Sequence, residues 1–157
     1  MNKPSQPRPP FEATSPPYEL DGYGWAMAQA RLLSERRFEA VDLANIIEEI
    51  ESVGKRERST VRSALRVLMM HILKWQHQPE RRSRSWALSI ASQRLAYQDA
   101  IGDNPSLKGE LDAIRTEAYR RSRIEAAAET DLPLRTFSET PLEWQVILDQ
   151  KFELPDA

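Results

Sequence analysis

The chain contains no cysteine and only five glycines in 157 residues. The first absence removes disulfides, thiolate metal sites and a cysteine nucleophile, and it is compatible with a reducing compartment, so the cytoplasm is the expected location. The second goes with another: no run beyond residue 40 alternates apolar and polar residues long enough to suggest a half-buried strand. No segment approaches the ~20 consecutive apolar residues of a membrane-spanning helix, so no membrane role is expected. Net charge is small, −2 with a pI near 5.8, which lacks the positive excess of a general nucleic-acid or membrane-surface binder. A glycine-rich phosphate loop, a serine elbow and a nucleotide fingerprint are missing as well.

What is present suits a single all-α domain. With 40% hydrophobic and 29% charged side chains, the chain is long enough for one sizeable core. The opening MNKPSQPRPPFEATSPP holds 6 of the 11 prolines, and residues 1–17 read as a disordered or extended arm preceding one helical domain over 18–157.

Helical spacing dominates that domain. A first helix is expected from Asp21 to Arg36, capped by Asp21, with Trp25, Ala28, Leu32 and Leu33 turned inward. The next begins near Asp42, where Leu43, Ile46, Ile47 and Ile50 fall on one stripe. Gly54 looks like a stop, yet at ~100° per residue Val61 returns to the angle of Leu43, and Leu65, Leu68 and Ile72 stay within ~40° of it. A hairpin at Gly54 would have no reason to keep that register. One long central helix over about 42–78 is therefore favoured, with Gly54 as the place where it would bend at a cost of ~1 kcal/mol. Pro79 ends it. A helix over Ser83–Ile101 presents Trp86, Ile90, Tyr97 and Ile101, and the turn GDNPS follows. Asn104 and Pro105 open a helix running to about Glu129. In TPLE, Thr140–Glu143, a capping box starts a last short helix bearing Trp144, Ile147 and Leu148.

Three separated stretches are distinctive: DLANIIEEIESVG (42–54), HILKWQHQPERRSRSW (71–86) and AAAETDLPL (126–134). With the C-terminal EWQVILDQKFELP they resemble the bacterial domain of unknown function family 29, over roughly Tyr18 to Pro155. The resemblance implies an all-helical domain and brings no assigned activity.

Three clusters could carry chemistry. Asp42, Asn45, Glu48, Glu49 and Glu51 form a candidate acidic face, and clustered carboxylates with a histidine are how helical bundles hold di-metal centres. No acid stands three residues before either histidine, and at ~1.5 Å rise per residue Glu49 and His71 lie ~33 Å apart on one helix. No metal is therefore expected, and the acids read as a solvated face or as partners of basic side chains. His71 at the edge of the apolar stripe and His77 near the helix end could act as general acid or base, but no recognisable nucleophile accompanies them. His71 reads as a core-edge histidine.

The third cluster is the corner itself. Arg81, Arg82 and Arg84 crowd a helix start whose dipole should repel them. Free helix-start amides, Ser83 and Ser85 hydroxyls and arginine forks suit a phosphate or carboxylate, with Trp75 and Trp86 as stacking surface. Alternatively the tryptophans pack and the arginines pair with Glu80, Asp42, Glu48 or Glu49. His71, Lys74, Trp75, Arg81, Arg82, Ser83, Arg84 and Trp86 thus make a candidate anion or partner site. The basic run Tyr119–Glu125 is read as a solvated face balanced by Glu110, Asp112, Glu117 and Glu129 of the same helix.

The resulting expectation is a non-catalytic protein-interaction or regulatory module that needs no cofactor and whose partner is another protein. The alternative is an anion or nucleic-acid binding protein, or a phosphodiester-directed enzyme, built on Trp75, Arg81, Arg82, Arg84 and Trp86.

Overall fold

The computed structural model describes residues 15–154, so nearly all of the expected arm lies outside the described residues. The fold is all-α, with no strand among the described residues. Five α-helices follow one another: α1 (Gly22–Ser34), α2 (Leu43–His77), α3 (Arg84–Asp103), α4 (Leu111–Thr130) and α5 (Trp144–Leu148). Single 3-10 segments over Phe38–Ala40, Pro79–Arg81, Pro105–Glu110 and Leu134–Thr136 connect them. The expected long helix is there, running through Gly54 without interruption.

The chain divides into two compact units, one ending at Val53 and one beginning at Gly54. In the first, the Asp21 carboxylate caps α1 by accepting from the Gly24 amide at 2.8 Å. A Cβ at position 24 would collide with that carboxylate, so a larger residue there would displace the cap. Buried Gln29 ties the unit together: its Oε1 accepts from the Asp42 amide at 2.8 Å and its Nε2 donates to Ser15 Oγ at 3.1 Å. The expected inward set of α1 holds for Trp25 and Leu32, but Leu33 is exposed and Gln29 takes the buried place. The side that meets α2 is built from hydrogen-bonding groups as much as from apolar ones.

The second unit is a bundle whose directions follow from its cross-helix pairs. Arg58–Glu117 and Arg66–Glu125 share a sequence offset of 59, so α2 and α4 run parallel. Asn104 bonds Glu57 while Lys74 lies on the Trp86 ring; one index falls as the other rises, so α3 returns antiparallel to α2. The core is drawn from α2 (Val61, Leu65, Leu68, Met69, Ile72, Leu73), α3 (Ile90, Tyr97, Ile101) and α4 (Ile114, Ala118, Tyr119, Ala126), closed by Phe137, Ile147 and Phe152. Each fully buried aliphatic of this set contributes ~1.5–3 kcal/mol.

Two start signals read from sequence act differently. Asn104 donates to Glu57 and to the Ala100 carbonyl, finishing α3 where it was expected to start α4, and the 3-10 segment Pro105–Glu110 intervenes. The TPLE capping box does not form: α5 begins at Trp144, and the first helical acceptor is the Glu143 carbonyl. Tertiary demands override the local signal here. The Trp144 indole must reach Asp112 at 2.8 Å, with Arg115 over its ring at 5.0 Å and Tyr97 beside it at 6.2 Å.

Candidate functional site

The corner around Pro79 folds largely onto itself. Gln78 leaves the helical region and Pro79 opens a 3-10 turn. Ser83 then caps α3 by accepting from the Trp86 amide at 3.2 Å. Trp75 is buried edge-to-face against Phe152, with ring centroids 5.9 Å apart. Buried Lys74 pairs with Glu129 and lies 4.6 Å from the Trp86 ring centre. Arg82 meets no carboxylate among the described residues. Its Nε donates to the Trp75 carbonyl at 2.9 Å and its guanidinium sits 5.3 Å from the Trp75 ring. That carbonyl belongs to the last turn of α2, the negative end of its dipole, which answers the repulsion expected at the start of α3.

Of the acids expected as arginine partners, Asp42 and Glu49 are engaged in the first unit instead. Asp42 accepts from Trp25 Nε1 at 3.1 Å and from Asn45 through both its side-chain amide at 2.7 Å and its backbone at 3.3 Å. These bonds, the Asn45 amide foremost, hold its carboxyl below the usual range. Glu49 accepts from the Tyr18 hydroxyl at 2.6 Å, and this hydrogen bond raises the phenol to about 12. The acidic edge of α2 is thus where Tyr18 and Trp25, packed edge-to-face at 4.8 Å, attach. Among the described residues no three histidine or carboxylate side chains converge as metal ligands would.

Part of the corner stays open. His71, Arg84 and Ser85 line a groove of about 520 Å³ with Val67, Leu88, Ser89, Ser92 and Gln93. His71 Nδ1 donates to the Val67 carbonyl at 2.9 Å, so in the neutral ring Nε2 is left as an acceptor. His77 makes the same bond to Leu73 and packs on Phe137 at 4.7 Å. Of the eight residues read as one site, the structure brings His71 and Arg84 to a common groove, builds Lys74, Trp75, Arg82, Ser83 and Trp86 into the corner, and gives exposed Arg81 no ion pair among the described residues.

Two features escaped sequence reasoning. The first is an ion-pair ladder between α2 and α4: Arg58 grips Glu117 with both terminal nitrogens and Glu110 with Nε, and Arg66 grips Glu125. Arg58 pulls the Glu117 carboxyl down to about 2, and is itself raised by it. The acids read as balancing Tyr119–Glu125 within one helix therefore mostly reach across to α2; only Arg115–Asp112 stays within α4. Regular four-residue spacing of basic residues at 58, 62 and 66 against acids at 117 and 125 was the available signal.

The second is the exposed face of α2. Leu43, Ile47 and Ile50 remain 49–67% exposed, whereas Val61, Leu65, Leu68 and Ile72 on the same angular stripe are at 0%. Residues 15–53 also carry eight acidic and three basic side chains, a net −5.

No curated protein and no solved structure matches the chain. A family model does: that of the Domain of unknown function DUF29, over residues 17–153. The stretches 42–54, 71–86 and 126–134 all lie inside that match, and the chain belongs to this family.

Proposed function

We propose that the protein is a non-catalytic, cytoplasmic docking module whose N-terminal unit receives a basic amphipathic helix of another protein. One observation carries the reading: a single stripe of α2 is fully buried from Val61 onward yet open at Leu43, Ile47 and Ile50. Where the stripe is buried, helices cover it with aliphatic and aromatic side chains. The open part repeats the same chemistry at the same spacing, so a helix with an apolar stripe is its natural complement. Tyr23 and Met27 of α1 are exposed in the same unit.

Charge selects among such helices. A unit of net −5 attracts a partner with lysine or arginine flanking its apolar stripe and repels a second copy of itself. Asp42 bonds Trp25 of α1 and Glu49 bonds Tyr18 just before it; the field is that of the unit's net charge.

Fluorescence anisotropy with a synthetic helical peptide of about three heptads, leucine at the core positions and lysine on the flanks, tests this. Saturable binding is expected, weakening as salt rises and at least tenfold weaker for a peptide with glutamate flanks. Ile47→Asp and Ile50→Asp should abolish it and leave the circular dichroism spectrum unchanged, because both positions are exposed. A dimer in sedimentation equilibrium that Ile47→Asp dissociates would assign the stripe to a second copy and overturn the proposal.

A further inference from the structure

The ladder between α2 and α4 has a defective rung. With the offset of 59 set by Arg58–Glu117 and Arg66–Glu125, the residue level with Arg62 is Arg121. A carboxylate there would complete the series; a second guanidinium stands in its place. Arg62 has only a 3.5 Å contact to a Glu117 oxygen already held by Arg58 at 2.9 Å, and its Nη2 donates to Ser59 Oγ at 3.2 Å. Arg121 is exposed and has no ion pair or hydrogen bond among the described residues. At this rung the surface opens into a cleft of about 360 Å³, lined by Ser59, Arg62, Ser63, Arg66, Arg121 and Glu125.

We propose that this cleft is a binding site for a phosphomonoester dianion, which supplies the negative charge missing between Arg62 and Arg121. Three guanidiniums against one carboxylate leave the lining with two formal positive charges in excess, matching the dianion. Arginine forks engage phosphate oxygens in pairs, and the Ser59 and Ser63 hydroxyls, one turn apart on α2, are donors to a third oxygen. The volume exceeds a bare tetrahedral anion, so an ester substituent has room beside the phosphate. This site is separate from the groove of His71 and Arg84, and it does not depend on the docking reading of the N-terminal unit.

Isothermal titration of the full chain in low-salt chloride buffer, with phenyl phosphate, inorganic phosphate, sulfate and a phosphoserine peptide, tests it. Phenyl phosphate should bind saturably and at least tenfold more tightly than sulfate. Arg121→Glu, which completes the ladder, should abolish that binding while the melting temperature in phosphate-free buffer holds or rises. Should that variant fail to fold, Arg121→Gln carries the same test and should weaken binding at least tenfold. A phosphoserine peptide tighter than phenyl phosphate names a protein side chain as the source of the ester; the reverse order names a small metabolite, and either supports the site. No saturable heat, sulfate as tight as phenyl phosphate, or binding retained by Arg121→Glu overturns it.

Discussion

Arg82 shows how far a residue's sequence context can mislead about its partner. Two neighbouring arginines and a helix start argued for an anion, yet the side chain turned back onto the Trp75 carbonyl and ring. A carbonyl with a partial charge is a weaker partner than a buried carboxylate, and Arg82 is exposed. Arg82→Ala should therefore cost about 1.5 kcal/mol, the low end of the ~1.5–3 kcal/mol of a hydrogen bond to a charged group because the side chain is exposed, and not the ~3–5 kcal/mol of a broken buried ion pair. Chemical denaturation of the two proteins measures the difference, and a loss above ~3 kcal/mol would mean that a carboxylate is involved after all.

At the scale of the element, two positions carry each other's ideal residue. Gly54 sits exposed within α2, and a Cβ there would meet nothing within 4 Å. Arg36, just past α1, holds a left-handed backbone with φ of 58°. There its own amide bonds the Leu33 carbonyl and the Arg37 amide bonds Leu32, closing the helix in a Schellman turn. Gly54→Ala should stabilise by up to ~1 kcal/mol through helix propensity, and Arg36→Gly by about as much through relief of the left-handed strain. Both gains should appear as a higher denaturation midpoint with an unchanged slope. A loss at Gly54 would mean that the helix bends there in solution.

At the scale of the whole molecule, charge is partitioned: residues 15–53 carry a net −5, while residues 54–154 carry a net +3, from 17 basic and 14 acidic side chains. The small whole-chain charge of −2 hides this, which is why composition alone pointed away from charged partners. The basic unit also contains the acid-sensitive feature. Glu117 is depressed from 4.5 to about 2 by Arg58, so the folded state binds this proton less readily than the unfolded one. Its contribution is complete above pH 4.5 and is lost as pH falls toward 2. In Glu117→Gln, stability measured across that window should fall less steeply with acid than in the native chain, and an identical slope would show that the ladder is screened.

The apolar period of 3.6 determined by itself that the chain is all-α, and its unbroken phase across Gly54 favoured one long helix over a hairpin, because a turn has no reason to keep an angular register. Helix ends marked by Asp21, Ser83 and Pro79 were legible for the same reason: each is a local backbone effect. The capping box at Thr140 was not, since the pull of Trp144 toward Asp112 acts over 32 residues. Sequence periodicity identifies a stripe without saying whether anything covers it, so the open face at Leu43–Ile50 and the buried one at Val61–Ile72 looked alike. Nor does spacing say which acid an arginine meets. That choice waits on the parallel alignment of α2 and α4, whose offset pairs Arg58 with Glu117 and leaves Arg62 facing Arg121.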